Sequence, residues 1–511
     1  MARIAVIGAG LGAMAASARL ATAGHRVTVY ERTETYGGGV RRYERDGFRF
    51  DTGPGILHLP AVYRDLFVKT GREKLEDRLD LVRLDPAVRH VFPGGTAVSL
   101  PSGSRAGVLA ALDEAFGAGA GERWTDMLAR ARTVWDATRR PLLEEPLTED
   151  GVPALRETLA HDPYPALRSR HPALRAKGLL RRRTPALADA AAVELRDPRL
   201  VSMLNSCAWA YGLDPRSAPA GAAVLAYMEH TFGSWYVRGG MRALAEALYT
   251  RCMERKVDFR FGCEVVDVLE KNGRAVGVKP AGEPEVPADS VVVGGARVPG
   301  EAAGADPVTA TPAAPARSRV TVLLALRGGR PAETVHRTVV HREDAPGQPL
   351  TVLRPDDPGL RPGAGHETAV LSVPVAPDEI RGEDDASRLA DRLTAAADAA
   401  GLGLGGRVLW REVRTPRDVE AETGAPGGLV PAPVLAGPYG GGSSGGRGGR
   451  AGWSRQDAGA VDVRPPNRTA TKGLYRAGGW AHPGGGAAHA GMSGALVAGL
   501  IVEGDDWRGS H

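Results

Sequence analysis

The sequence predicts an α/β fold organised around a Rossmann-type parallel sheet. Three observations carry this. Residues 2–32 (ARIAVIGAGLGAMAASARLATAGHRVTVYER) read as strand, glycine turn, helix, strand and terminal acid. Residues 288–293 form another short β-branched run of the kind a buried parallel strand needs. Residues 474–477 run into a second glycine turn and then an apolar helix from about Ala490.

The first turn is specific enough to predict a dinucleotide. Gly8 permits the tight turn, and Gly10, lacking a Cβ, lets the backbone approach a pyrophosphate. Leu11 and Gly12 open the helix, and Ala13 takes the third, helix-packing position. Free N–H groups at the helix start face the phosphates. Glu31 follows Gly8 by about 23 residues, near the ~20 expected of an acid that accepts ribose hydroxyls. A cleaved secretory signal would share the apolar start but has no use for the second strand and its acid.

Composition narrows the class. The 511 residues suffice for two or more domains, and 43% hydrophobic content suffices for a core. Net charge is +5, a mild basic excess. Cys207, Cys252 and Cys263 make no CxxC pair and read as reduced thiols of a cytoplasmic protein. No apolar run approaches the ~18 residues that span a bilayer. The strongest basic cluster runs from Arg168 to Arg183 (RSRHPALRAKGLLRRR). It reads either as a solvated helix face or as peripheral membrane contact by a basic amphipathic helix. Nucleic acid is not expected, since no aromatic residue interleaves and no nucleic-acid motif accompanies it.

Along the chain, Gly37-Gly38-Gly39 offers backbone N–H groups to a phosphate or ribityl chain, and residues 52–55 (TGPG) form a turn able to run under a flat ring. Residues 79–92, the Pro93-Gly94-Gly95 turn and residues 96–100 read as a hairpin. Residues 105–140 read as helix, with Leu109, Leu112, Phe116, Trp124, Met127, Leu128 and Val134 on its apolar face. Residues 150–215 read as an all-helical cap. Asn272-Gly273 marks a hairpin. Residues 319–326, 350–353 and 368–374 read as strands and 385–399 as a helix. The glycines of residues 401–406 follow a helix and precede a strand, the reverse of a phosphate loop, so one dinucleotide site is expected.

GAGLGAM, GHRVTVYER, the glycine pair and GFRFDTGP, in this order, resemble the flavoprotein superfamily of phytoene desaturases, amine oxidases and protoporphyrinogen oxidases, with phytoene desaturase-like proteins the nearest branch. Asp197-Pro198, residues 211–215 (YGLDP), residues 235–241 (WYVRGGM), residues 482–486 (HPGGG) and Ser493-Gly494 extend the resemblance over nearly the whole chain. There are departures. The family usually has Arg directly after the glycine pair, where Gly39 stands here with Arg41 and Arg42 behind it. Gly479 and Trp480 stand where amine oxidases favour Asp, and His489 takes a place that is commonly Gly.

The resemblance implies non-covalent FAD in a Rossmann-type FAD-binding domain assembled from both chain ends (residues 1–75, 236–300 and 471–511), with an α+β substrate domain and helical cap (76–235 and 301–435) and a flexible Gly-rich insert (436–470). It implies cofactor contacts from Gly8, Gly10, Leu11, Gly12, Ala13, Glu31 and Arg32, from Gly38, Gly39 and Val40, from Gly53, Pro54 and Gly55, from Val265, and from Gly478, Gly479, His489, Ala490, Gly491 and Met492. The implied chemistry is hydride transfer between an apolar polyene or isoprenoid-type small molecule and flavin N5, with an apolar tunnel supplying most of the binding. His482 and His489, which ordinarily titrate near neutral pH, are the acid–base candidates, with packing or capping as the alternative. His58, Trp235 and Tyr236 are candidate cavity residues. Two other readings stand: an amine- or porphyrinogen-oxidase-like flavoenzyme, and a non-redox carrier of the same fold binding prenylated partners.

Overall fold

The computed structural model describes residues 1–166, 185–301, 317–345, 347–440, 461–504 and 506–509. The basic cluster from Arg168 to Arg183, most of the loop at 299–317 and the glycine-rich centre of the insert, 441–460, lie outside the described residues.

Valine, isoleucine and alanine runs build a five-stranded, all-parallel sheet in the order Asp258–Arg260, Arg26–Tyr30, Arg3–Ile7, Ser290–Val293, Leu474–Arg476. The middle strand is drawn from the first residues of the chain and an edge strand from its last forty. Register is set by apolar neighbours, Val6 lying between Val29 and Val292. One face is covered by helices Leu11–Thr22, Ala61–Gly71, Met241–Glu254 and Ala487–Glu503, which share one core with the sheet. The other face is covered by a three-stranded antiparallel sheet built on the hairpin Val265–Lys271 and Arg274–Pro280, which turns at Asn272-Gly273 as the sequence predicts.

A second, seven-stranded sheet carries the hairpin Val88–Val91 and Ala97–Leu100 at one edge and the long strands Ser318–Arg327 and His366–Val375 near the other. Helix Glu383–Ala399, with Glu383, Asp384 and Asp385 in its first turn against the positive helix end, packs on one face. Strands Leu350–Leu353, Arg337–Val340 and Val408–Arg414 complete this sheet, and of these Arg337–Val340 is not expected from the sequence.

A helical layer covers the remaining side, built from Arg105–Phe116, Ala120–Arg139, Leu187–Leu195, Pro198–Ala210 and Val224–Phe232 around one core. The single helix expected over 105–140 is two, because Gly117 and Gly119 adopt positive φ and break it. Leu109, assigned to the apolar face, is exposed. The expected insert of residues 436–470 has described residues at both ends. Tyr439 on one side and Asp462 and Asn467 on the other are buried.

Candidate functional site

The site begins where the first strand ends. Gly8 has φ +90°, and its N–H donates to the Tyr30 carbonyl (2.7 Å), which fixes the turn to the second strand. The Glu31 carboxylate, buried at 6% exposure, accepts the Ala9 N–H (2.8 Å) and the Thr33 N–H and hydroxyl (2.9 and 2.8 Å). A carboxylate offers about four acceptor positions, so Glu31 both rigidifies the turn and retains capacity for a ribose hydroxyl. Val265 lies in one core with Tyr30, and the backbone before it joins Glu31 through the Cys263 N–H (2.9 Å).

Three glycine loops separated in sequence stack here. The Gly37 N–H donates to the Ala9 carbonyl (2.8 Å), and a Cβ at Gly38 would stand 3.0 Å from the Gly10 Cα. A Cβ at Gly53 would stand 2.0 Å from the Gly39 carbonyl oxygen. Only backbone without side chains packs this way. At Gly10 the opposite holds: among the described residues, no protein atom lies within 4 Å of where its Cβ would be. The loop is thus held tightly from behind and open in front, as close approach by a pyrophosphate requires.

Arg41 returns its guanidinium to this turn, donating to the carbonyls of Gly38 (2.9 Å) and Glu422 (2.9 Å) and to the Thr33 hydroxyl (3.0 Å). A cation therefore stands at the glycine turn although Gly39 replaces the usual arginine. Arg32 is exposed and donates to the Ala421 carbonyl (2.6 Å), so it ties the turn to helix Pro416–Thr423. Val40 is buried in the helix-covered core, Gly53 and Pro54 are exposed, and Gly55 abuts Leu353.

The C-terminal turn meets the first helix directly. A Cβ at Gly12 would stand 2.6 Å from the Gly478 Cα and 2.7 Å from the Ala490 carbonyl oxygen, and one at Gly494 would stand 2.2 Å from the Gly12 carbonyl oxygen. Gly12 is therefore the close-packing glycine of the helix seam, and Ala13 instead packs toward Gly294. The Gly478 N–H donates to Ser493 Oγ (3.0 Å), and Gly479 abuts Pro431. The second helix starts at Ala487, earlier than the expected Ala490. This shifts the free N–H groups. The Ala490 N–H already donates to the Gly486 carbonyl (2.9 Å), and those of Gly491 and Met492 fall within the helix ladder. The unpaired amides at the positive end belong to Ala487, Ala488 and His489. Gly491 turns toward Val62 and Tyr63 instead.

Asn467 holds this turn and carried no signal in the sequence. Wholly buried, it donates to the His482 carbonyl (2.8 Å) and accepts the Leu147 N–H (3.1 Å), while its own carbonyl accepts the Arg476 N–H (2.9 Å). His482 lies with Nε2 3.1 Å from the Glu145 carbonyl oxygen. His489 and Tyr211 both border the glycine that caps the last helix: a Cβ on Gly486 would stand 3.3 Å from His489 Nδ1 and 3.8 Å from Tyr211 Cε1. Neither imidazole titrates near neutral pH, because burial pushes both down to about 4.

The same desolvation lowers His341 to about 4 and His336 to about 3. From pH 6.5 down to about 4 the unfolded chain takes up protons that the folded chain refuses, so the stability these rings contribute is present above pH 6.5 and lost as pH falls through that window. Asp51 and Asp162, pushed up to about 6 by burial, act in the opposite sense but are fewer. A net fall in unfolding free energy is expected between pH 7 and pH 5, on the order of 1–2 kcal/mol per histidine before the aspartates are set against it. Urea titration at the two pH values checks this, and equal midpoints would contradict it.

His58 sits opposite Ser234 where residues Leu57–His58 pair with Ser234–Val237. Trp235, alternating to the other face, lies under Arg64 and Arg83 rather than beside Ser234. Tyr236 donates to Asp357 (2.7 Å). Among the described residues no helix is long and apolar enough to cross a membrane.

Residues 13–299 match the family of flavin containing amine oxidoreductases. A 4,4'-diapolycopene oxygenase of Methylomonas sp is 30% identical over 57% of this chain and 55% of its own length. A hydroxyneurosporene desaturase of Cereibacter sphaeroides is 30% identical over 98% of this chain and 97% of its own. The match thus spans about half the length of the first relative and nearly all of the second. The solved structure of a putative protoporphyrinogen oxidase from Exiguobacterium is similar in fold, with a TM-score of 0.57 at 16% identity over 98% of this chain and 99% of that one. With the stacked glycine loops and the open face at Gly10, these matches establish that the chain belongs to the flavin containing amine oxidoreductase family.

Proposed function

We propose that the chain is an FAD-dependent dehydrogenase of an apolar polyene or isoprenoid, with the FAD-binding domain assembled from both chain ends and the seven-stranded sheet and helical layer forming the substrate side. The observation that carries the cofactor half is the seam at Gly12, Gly478 and Ala490, which brings two free helix starts to one place. The substrate half is supported by the names of the relatives, which act on carotenoids.

The residues fit FAD. The amides opening helix Leu11–Thr22 would hold the pyrophosphate, Glu31 the ribose, and Arg41 would hold the glycine turn in place. The amides of Ala487, Ala488 and His489 would offer positive charge to the flavin ring, which such charge stabilises in its reduced form. Bound there, FAD would supply a hydride acceptor at N5. The chain itself contributes orientation, exclusion of water and fixed dipoles. His482 and His489, neutral at physiological pH, can accept a proton or a hydrogen bond but bring no positive charge to it. Docking through the Arg168 to Arg183 cluster would suit an enzyme that collects a lipid-soluble substrate.

Anaerobic mixing tests the reading. A polyene hydrocarbon or its hydroxylated analogue in detergent is expected to bleach the yellow flavin band. Bleaching by a diamine with no response to any polyene would replace this reading with an amine oxidase.

A further inference from the structure

The helical layer, the hairpin Val88–Val91 with Ala97–Leu100 and strand Arg337–Val340 enclose a crevice whose lining is not uniformly apolar. Glu229, on helix Val224–Phe232, accepts a 2.8 Å hydrogen bond from Arg337 through Oε2. Both side chains are largely buried, at 12% and 6% exposure. Glu229 Oε1 has no hydrogen-bond partner, and His58 Nε2 lies 3.9 Å from it. Ser234 lines the same crevice at 1% exposure, and its hydroxyl is also unpartnered. An unpaired buried acceptor costs free energy unless something donates to it. A pure hydrocarbon would leave both groups unpaired.

The charge of the cluster restricts what can donate. Arg337 already neutralises Glu229, holding its carboxyl below the ordinary value against the opposing effect of burial. Arg319, half-buried, adds a second positive charge in the neighbourhood of Arg337. A protonated amine would meet no net negative charge, and an anion offers nothing to donate to Oε1. A neutral hydroxyl can donate to Glu229 Oε1 or pair with Ser234 Oγ, and it brings no charge into a buried site. His58 links this crevice to the glycine loops, being three residues past Gly55, 3.9 Å from Glu229 and packed at 6.4 Å between ring centroids against Tyr211, whose ring lies beside Gly486 at the start of the last helix.

We infer that Glu229, oriented by Arg337, and Ser234 form a subsite for a hydroxyl group on an otherwise apolar substrate. The inference rests on the polyene reading proposed above and adds the residues that tell a hydroxylated polyene from its parent hydrocarbon.

The test is equilibrium binding of two probes to the FAD-loaded full chain in detergent, followed by the shift of the polyene absorption: a polyene hydrocarbon and the same polyene bearing one terminal hydroxyl. The wild type is expected to bind the hydroxylated probe roughly tenfold or more tightly than the hydrocarbon. Replacing the pair together, Glu229→Leu with Arg337→Met, removes the acceptor without stranding a buried charge, so the fold should persist. That variant should lose the preference while binding the hydrocarbon at least as well. Ser234→Ala, a smaller change checked by its melting temperature, should reduce the preference roughly threefold or more. Equal binding of both probes by the wild type, or an undiminished preference in the double variant, would overturn the subsite and leave the polyene reading standing. Binding of neither probe to flavin-loaded wild type would overturn both.

Discussion

Gly10→Val yields a folded protein without flavin. Gly10 has φ −73° and ψ 168°, extended backbone that valine adopts readily. Among the described residues no protein atom is within 4 Å of its Cβ direction, so the folded chain does not resist the side chain. The isopropyl group instead stands where the pyrophosphate must approach the helix amides. Loss of two or so charge-assisted hydrogen bonds, each about 1.5–3 kcal/mol, lowers FAD affinity roughly 100-fold or more. Flavin fluorescence quenching against added FAD, read beside the melting temperature of apoprotein, checks it. A variant that retains wild-type affinity would remove the pyrophosphate from this turn.

Gly12→Ala, two residues on, fails differently. Helix propensity alone predicts about 1 kcal/mol of stabilisation, since Gly12 lies inside helix Leu11–Thr22. Packing predicts the reverse. The new Cβ would stand 2.6 Å from the Gly478 Cα and 2.7 Å from the Ala490 carbonyl, both backbone atoms that move only with the C-terminal turn. Overpacking of this kind outweighs propensity, and a net loss of about 2 kcal/mol is expected, with weaker FAD binding as a consequence. Urea unfolding of the apoprotein decides the sign. A more stable variant would mean that the two chain ends are not locked together at this seam.

The contrast between these neighbouring glycines marks what the sequence could express. Strand, turn, helix and acid over residues 2–32 are local, so period, turn chemistry and spacing were enough to place them. The same holds for the hairpin at Asn272-Gly273. The start of the last helix was misplaced because Gly486 caps it without a side-chain hydrogen bond, and a run of glycines conceals where helical φ begins. Trp235, a candidate cavity residue by sequence, is sent by strand alternation to the opposite face from Ser234.

Long-range pairings left no trace. Asn467 joins Leu147, Arg476 and His482, and Glu229 meets Arg337 across 108 positions. Each is a single polar residue in an unremarkable stretch, and only the fold gives it a partner. The histidine assignments combine both cases. His482 and His489 do fall at the C-terminal turn, as the motif implies, but their low pKa values come from burial, to which distant segments contribute and which the Glu145 carbonyl only partly offsets at His482.

The most direct test of the account is the flavin content of the purified, FAD-reconstituted full chain. Denaturation should release one FAD per chain into solution, leaving none attached to the polypeptide, and the Gly10→Val protein treated in parallel should release almost none. A wild-type chain that folds but takes up no FAD, or one that retains flavin after denaturation, would contradict a non-covalent site built from both ends of the chain.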